Sequence, residues 1–323
     1  MRIALWIVLV IVLAVAIVTG VAFGTLHISI HDAIDALRGV GDPSTVAVIR
    51  TLRLPRVLLA ALVGAGLAAS GAALQGGTRN RIAEPYLLGV SGGAAVGAVL
   101  AVAFHAPFVF IPLAGFAGAL TSVFLTLGVA RAAGGRGDPR LVLMAGVVVG
   151  AFANAIIMVA LANADASIIR GALWWMMGSV ADANWNQVVA LAVFVCIGVA
   201  VLIGLGRAID VLALGDDAAA GLGVDVARVS FAVYIAGALL AAATVSAAGL
   251  VGFVGLLVPH LVRLAGARTH RTIIGAAALG GASLVVFADV IARVAMPPAE
   301  LPLGAVTAVL GVPFFLLLLR RLA

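Results

Sequence analysis

Thirteen carboxylates, five histidines and one cysteine are the main groups in this 323-residue chain that could do acid–base, nucleophilic or metal chemistry. Their spacing argues against most of it. His27 and His31 stand four apart with Asp32 and Asp35 beside them, a spacing that could hold a metal on one helix face. The same residues equally suit a solvated polar segment. His105 ends an apolar run and His270 sits among arginines. His260 follows Pro259 in Gly255-Leu256-Leu257-Val258-Pro259-His260, where the proline removes a helical hydrogen bond and is expected to break or kink the helix. That corner suits tight packing or a gate. No HExxH pair and no nucleophile motif occurs. No catalytic residue and no metal ligand is assigned.

All 19 basic residues are arginine. The P-loop reaction needs a lysine on the phosphates, so this chain is not an ATPase by that route. Schiff-base chemistry is excluded too. The carboxylates cluster in loops and at the ends of apolar runs. Proton-driven carriers place such groups within spans, which disfavours a proton-coupled secondary transporter, the main alternative to a pore powered by another chain. Cys196 lies inside an apolar run and reads as packing.

The polar stretch from Arg207 to Arg228 is the most distinctive. It holds Asp210, Asp216, Asp217 and Asp225 between two long apolar runs. Its middle, Leu212 to Val224, reads as a helix with Asp216 and Asp217 near its N-terminus, where negative charge is favoured. Gly221 costs such a helix about 1 kcal/mol relative to alanine, so a partner surface is expected to support it. A short helix between spans is a docking surface for a soluble protein; an ordinary connecting loop fits the same composition.

These groups sit in a chain that is 64% hydrophobic and 10% charged, with a mean hydropathy of +1.28. Soluble domains are about 25% charged. Apolar runs of about 20 residues predict an all-α polytopic membrane protein rather than a barrel. Ten spans are expected, near residues 3–23, 55–76, 87–104, 109–130, 141–161, 188–205, 229–248, 250–264, 272–295 and 303–319. The first run is longer than a signal-peptide core and is kept as a span. Residues 163–185, with Trp174-Trp175-Met176-Met177, suggest a short helix lying at an interface. Gly93-x-x-x-Gly97 and Gly146-x-x-x-Gly150 permit close helix crossings. No repeat or linker divides the chain, so residues 1–323 read as one transmembrane domain.

Ten spans place both termini on one side. With both inside, Arg2, Arg79, Arg81, Arg131, Arg136, Arg140, Arg207, Arg228, Arg263, Arg268, Arg271, Arg320 and Arg321 are cytoplasmic. Arg38, Arg50, Arg53, Arg56, Arg170 and Arg293 are outside. Thirteen against six, from the 19 arginines, favours this orientation. Arg50, Arg53, Arg56 and Arg293 then lie at outer span ends. They suit headgroup or salt-bridge anchoring, Asp289 and Arg293 being four apart. They also suit a basic rim that receives an acidic partner.

Several stretches recur in one known order. They are Leu52-Arg53-Leu54-Pro55-Arg56, Gly71-Ala72-Ala73-Leu74-Gln75, Pro85-Tyr86-Leu87-Leu88-Gly89-Val90-Ser91-Gly92-Gly93-Ala94 and Trp175-Met176-Met177-Gly178-Ser179. Leu214-Gly215-Asp216-Asp217 with Leu222-Gly223 follows, then Gly252-Phe253-Val254-Gly255 through Arg263, Ala288-Asp289-x-x-x-Arg293, Glu300-Leu301-Pro302-Leu303-Gly304 and Gly311-Val312-Pro313-Phe314-Phe315. Together they closely resemble the iron-siderophore, haem and vitamin B12 permeases of bacterial ABC importers, the FecCD-type transmembrane subunits.

The resemblance implies ten helices per subunit, a homodimer of type II importer architecture and a pathway at the dimer axis, in the bacterial cytoplasmic (inner) membrane. It implies two ATP-binding subunits on the cytoplasmic side, which carry the ATP and Mg; this chain itself binds no covalent cofactor. They would couple through Leu212, Leu214, Gly215, Asp216, Asp217, Ala219, Leu222 and Gly223. An extracytoplasmic substrate-binding protein would dock through acidic residues onto Arg53, Arg56 and Arg293. The inner gate would lie near Gly137, Asp138, Pro139 and Arg140. The implied cargo is a bulky metal chelate: iron-siderophore, haem or cobalamin. Partners are thus a second copy, the ATPases, the binding protein and membrane lipid, with no nucleic acid. The family's usual Asn-Pro-Leu-Ala is here Asn80-Arg81-Ile82-Ala83, which frees the turn's backbone and adds a charge.

Overall fold

The computed structural model describes residues 2–24, 28–134 and 138–319. Among them the fold is helical throughout, apart from one isolated bridge between Met296 and Ala299. Fourteen α-helices follow in order: α1 Arg2–Ala22, α2 Ile30–Arg38, α3 Pro43–Ala47, α4 Leu54–Gly77, α5 Val90–Ala103, α6 Phe110–Ala132, α7 Pro139–Leu161, α8 Ala166–Met177, α9 Trp185–Leu212, α10 Asp216–Gly221, α11 Val226–Ala248, α12 Val254–Leu264, α13 His270–Val294 and α14 Leu303–Leu319. A π-helical stretch, Val48–Arg53, runs α3 into α4, and a 3₁₀ turn, Pro85–Leu88, precedes α5.

All ten expected apolar segments are helices. Seven of them are long and apolar enough to cross a membrane, the second being the continuous Pro43–Gly77. α5, α12 and the described apolar part of α14 are shorter. α9 runs well beyond residue 205, because Ile209 and Leu212 keep burying one face at helical spacing. α8 is the short helix expected in the 163–185 segment.

α4 is the hub. It is Gly- and Ala-rich and buried on every side, packed by α13, α11, α9 and α12. A helix that is apolar all round belongs in a core, and small residues let its neighbours' backbones approach. A Cβ on Gly64 would strike the carbonyl of Gly281 on α13, and one on Gly71 the carbonyl of Gly255 on α12. The same device joins α5 to α6, where Gly93 faces Gly118 and Gly97 faces the Ala114 carbonyl. The first small-residue motif therefore packs as expected. In the second, Gly146 abuts the Leu87 carbonyl, whereas Gly150 lies beside Gly92 of α5 but a Cβ added to it would meet nothing. Outside this core, α1, α6, α7 and α9 present exposed Ile, Val, Leu and Phe side chains. Cys196 is exposed on α9, so it is not a packing residue.

The helix does not break at Pro259: α12 continues through it. Proline withholds the N–H that would reach the carbonyl four residues earlier, here Gly255. Gln75 Nε2 on α4 donates to that carbonyl instead, at 3.2 Å, and lies 3.3 Å from the Leu256 carbonyl. Its Oε1 accepts from Arg263. Gln75 is buried. Gln75→Leu should therefore cost about 1–3 kcal/mol of stability, the loss expected for orphaned buried acceptors. Thermal unfolding in detergent checks this; a midpoint equal to wild type would mean that Gln75 is not needed to accommodate Pro259.

Candidate functional site

The polar residues gather at the two ends of the bundle. At one end, the 78–81 turn, α10, the start of α13 and the end of α12 meet. At the other, α1 ends against α4 and α13, and Glu300 of the 295–302 segment meets Arg56 of α4.

The first end holds α10. It is shorter than expected, because Ala213–Gly215 interrupts it. Gly215 sits at φ +107° and Gly223 at φ +80°, left-handed values that glycine adopts without steric cost. Leu212 is instead the last residue of α9 and only 2% exposed, and Ala219 is fully buried. Neither can offer a side chain to a partner, which corrects the expected contact set. Leu214 and Leu222, 65% and 64% exposed, project on either side of the helix. Asp216 and Asp217 form its first turn. Asp216 Oδ1 lies 3.1 Å from Arg79 Nη1, so the α4–α5 turn is tied to α10. Asp225 caps α11 by accepting from the Arg228 N–H at 3.1 Å. His270 Nδ1 lies 2.6 Å from Asp210 Oδ1, and its backbone N–H donates to the same atom at 2.9 Å.

Of the expected gate residues, Gly137 lies outside the described residues. Asp138 caps α7, accepting from the Arg140 N–H at 2.8 Å, and Pro139 is buried at the first helical position. Asp138 and Arg140 are exposed.

A second structure near α12 escaped sequence reasoning. Phe253, at φ +66°, precedes the helix in a conformation unfavourable for an aromatic residue. Its N–H donates to Glu84 Oε1 at 2.9 Å. The Tyr86 hydroxyl donates to the Val251 carbonyl and accepts from the Val251 N–H, both at 2.9 Å. Burial raises the Glu84 carboxyl above the usual carboxylate range, and the Phe253 N–H partly offsets that. The signal was present in part, since Tyr86 is a polar residue in the apolar Pro85–Ala94 motif and Glu84 immediately precedes it.

At the far end the three expected docking arginines do come together, but not as an open rim. Arg56 forms two-pronged pairs with both Asp289 and Glu300: Nε to Asp289 Oδ1 at 3.0 Å, Nη2 to Asp289 Oδ1 at 2.9 Å, Nη1 to Glu300 Oε1 at 2.9 Å and Nη2 to Glu300 Oε2 at 2.8 Å. Arg293 Nη2 lies 3.0 Å from Asp289 Oδ2. It also donates to the Gly20 carbonyl at 3.1 Å, and Nη1 to that of Phe23 at 3.2 Å. Arg53 Nη1 donates to the carbonyls of Val21 and Ala22 at 2.9 and 2.7 Å. Arg53, Arg293 and Asp289 are 6%, 4% and 1% exposed. The cause is the C-terminus of α1, whose last carbonyls lack helical partners and carry partial negative charge. Arg293 of α13 and Arg53 at the end of the π-helical stretch satisfy them. The exposed arginines at this end are Arg38, Arg50 and Arg170.

Arg56, Asp289 and Glu300 also border a cavity of about 520 Å³, whose other walls include Phe108, Trp174, Trp175 and Asp182. It combines an aromatic wall with a neutralised charge cluster, which suits binding rather than bond-making.

A helical bundle with seven helices long and apolar enough to cross a membrane, a small-residue hub and a short charged helix at one end fits a membrane transport subunit. The FecCD transport family model matches residues 11–321, and the chain belongs to that family of ABC importer permeases, whose ATPase is a separate subunit. The cobalamin import system permease of Halobacterium salinarum is 42% identical over 87% of this chain and 75% of its own length. An Fe(3+)-citrate import permease of Bacillus subtilis is 35% identical over 97% of this chain and 93% of its own. The solved inward-facing structure of a metal-chelate type ABC transporter superposes with a TM-score of 0.90 at 27% identity, covering 99% of this chain and 100% of the other.

Proposed function

We propose that this chain forms, as a homodimer in the bacterial cytoplasmic membrane, the pathway through which a bulky metal chelate is imported. Residues 1–323 act as one permease domain of ten spans with both termini in the cytoplasm. Iron-siderophore, haem and cobalamin remain the cargo class, in keeping with the cobalamin and iron-citrate names of the relatives. An extracytoplasmic binding protein delivers the chelate, and two ATP-binding subunits with their ATP and Mg power its passage.

The observation that carries this reading is the geometry of α10. A six-residue helix, hinged at Gly215 and Gly223, presents Asp217, Leu214 and Leu222 outward and is tied through Asp216 to Arg79 at the end of the hub helix. Force on α10 therefore reaches α4 directly. We assign ATPase coupling to Leu214, Gly215, Asp216, Asp217, Leu222 and Gly223, with Leu212 and Ala219 holding the helix in place. Residues near Asp138, Pro139 and Arg140 are assigned to the inner gate. Arg53, Arg56 and Arg293 frame the outer face, and the exposed Arg38, Arg50 and Arg170 meet an acidic binding protein there.

The test is transport in proteoliposomes containing the whole complex. Asp216→Asn with Asp217→Asn should lower ATP-driven uptake about tenfold or more, in line with the 1–3 kcal/mol of typical coupling free energies, while the complex still hydrolyses ATP. Uptake at the wild-type rate would remove α10 as the coupling element.

A further inference from the structure

Beside α10 lies a cleft of about 450 Å³ with an unusual charge balance. Arg79, Arg81, Arg263, Arg268 and His270 line it, brought together from the α4–α5 turn, the end of α12, the 265–269 loop and the start of α13. Gln75, Gly76 and Ile273, all buried, lie among its walls. Two carboxylates stand nearby, and both are already engaged: Asp216 by Arg79 and Asp210 by His270. Among the described residues, Arg81, Arg263 and Arg268 have no carboxylate partner. Arg263 is half-buried and donates only to the neutral Gln75 side chain.

Three uncompensated guanidinium groups converging on one cleft repel one another, and an anion between them removes that cost. The guanidinium fork matches phosphate oxygens in two-pronged fashion, and the volume admits a phosphate with part of its ester. Arg81 is the residue that stands where the family's usual motif has proline, so this chain has added a charge to the cleft. We propose that the cleft binds a phosphate-type oxyanion, either the headgroup of an anionic phospholipid or free phosphate, through Arg81, Arg263 and Arg268. The lipid source rests on the orientation proposed above, since anionic headgroups are concentrated on the cytoplasmic leaflet. The free-phosphate source does not.

The full chain in detergent, titrated by native mass spectrometry, tests this. The probes are dioleoyl phosphatidylglycerol, dioleoyl phosphatidylcholine as zwitterionic control, and inorganic phosphate. Arg81→Ala with Arg268→Ala removes two exposed side chains that bond to nothing described, so the fold should be kept; an unchanged thermal midpoint verifies it. The wild type should bind phosphatidylglycerol or inorganic phosphate in preference to phosphatidylcholine, and the double variant should bind it about thirtyfold more weakly, the effect expected of two arginines near a membrane surface. Displacement of phosphatidylglycerol by millimolar phosphate identifies a free-anion site, and resistance to displacement identifies a headgroup site. Equal binding of both lipids with no phosphate bound, or a double variant that binds like wild type, overturns the proposal. Neither result bears on transport, so failure here leaves the permease reading intact.

Discussion

Arg56→Ala should destabilise the protein by about 3–5 kcal/mol, the cost of removing one partner from a buried ion pair. Asp289 is 1% exposed and would keep a carboxylate whose main compensation is gone. Glu300, about a third exposed, would suffer less because water reaches it. Arg293 still touches Asp289, yet it is committed to the α1 carbonyls as well. Arg56→Lys should not rescue the loss, because an ammonium cannot pair with two carboxylates through parallel forks. Thermal unfolding in detergent, with α1 release followed by limited proteolysis, reads the result. A midpoint within a degree or two of wild type would show that the cluster is dispensable. For the same reason, charge reversals at Arg53, Arg56 or Arg293 report on the fold, and loss of binding-protein affinity in them would not by itself demonstrate docking.

Gly71→Leu should be the more damaging change, with little folded protein recovered. Its Cβ would meet the backbone of Gly255, and a backbone held inside α12 cannot swing aside as a long side chain can. Overpacking of an ordinary core costs about 1–3 kcal/mol, and a clash with a packed helix backbone exceeds that range. Gly150→Leu supplies the control. It makes the same chemical change in another small-residue motif, but Gly150 has nothing within reach of its Cβ. That variant should behave as wild type to within about 0.5 kcal/mol. Monodispersity on size exclusion and the unfolding midpoint separate the two. Equal recovery of Gly71→Leu and Gly150→Leu would mean that the α4–α12 crossing tolerates separation.

The contrast shows what the sequence could convey. Apolar runs are local, so all ten expected helices are present, seven of them long and apolar enough to cross a membrane among the described residues. Gly93 and Gly146 were legible as packing sites, but Gly150 looked the same as its neighbours, because which face meets a partner is settled by helices distant in the chain. The arginines were legible in part: the Asp289–Arg293 pair four residues apart is present, whereas the burial of Arg53 and Arg293 against α1 could not be read. An arginine at a span end looks identical whether it faces solvent or caps another helix, and only the proximity of α1's last carbonyls to Arg53 and Arg293 decides it. Leu212 read as the start of a cytoplasmic helix because apolarity continues through it; the turn at Gly215 assigns it to α9. Pro259 pointed to a break, and the compensating Gln75 lies on α4, far away in sequence. The Asp216-Asp217 pair was found correctly at a helix start.

The arginine cluster at the end of α1 also has a history written into its order along the chain. Arg53 and Arg56 leave the ribosome early, whereas Asp289, Arg293 and Glu300 are added more than two hundred residues later. At about 5–20 residues per second, Arg56 waits on the order of tens of seconds for its two carboxylates, whereas the Val21 and Ala22 carbonyls that Arg53 meets precede it in the chain. During that interval α4 carries Arg56 without the carboxylates of Asp289 and Glu300, and the Arg293 bonds to the Gly20 and Phe23 carbonyls have still to form. Premature termination anywhere before Asp289 would leave the Arg56 guanidinium at the start of α4 without either of its carboxylates.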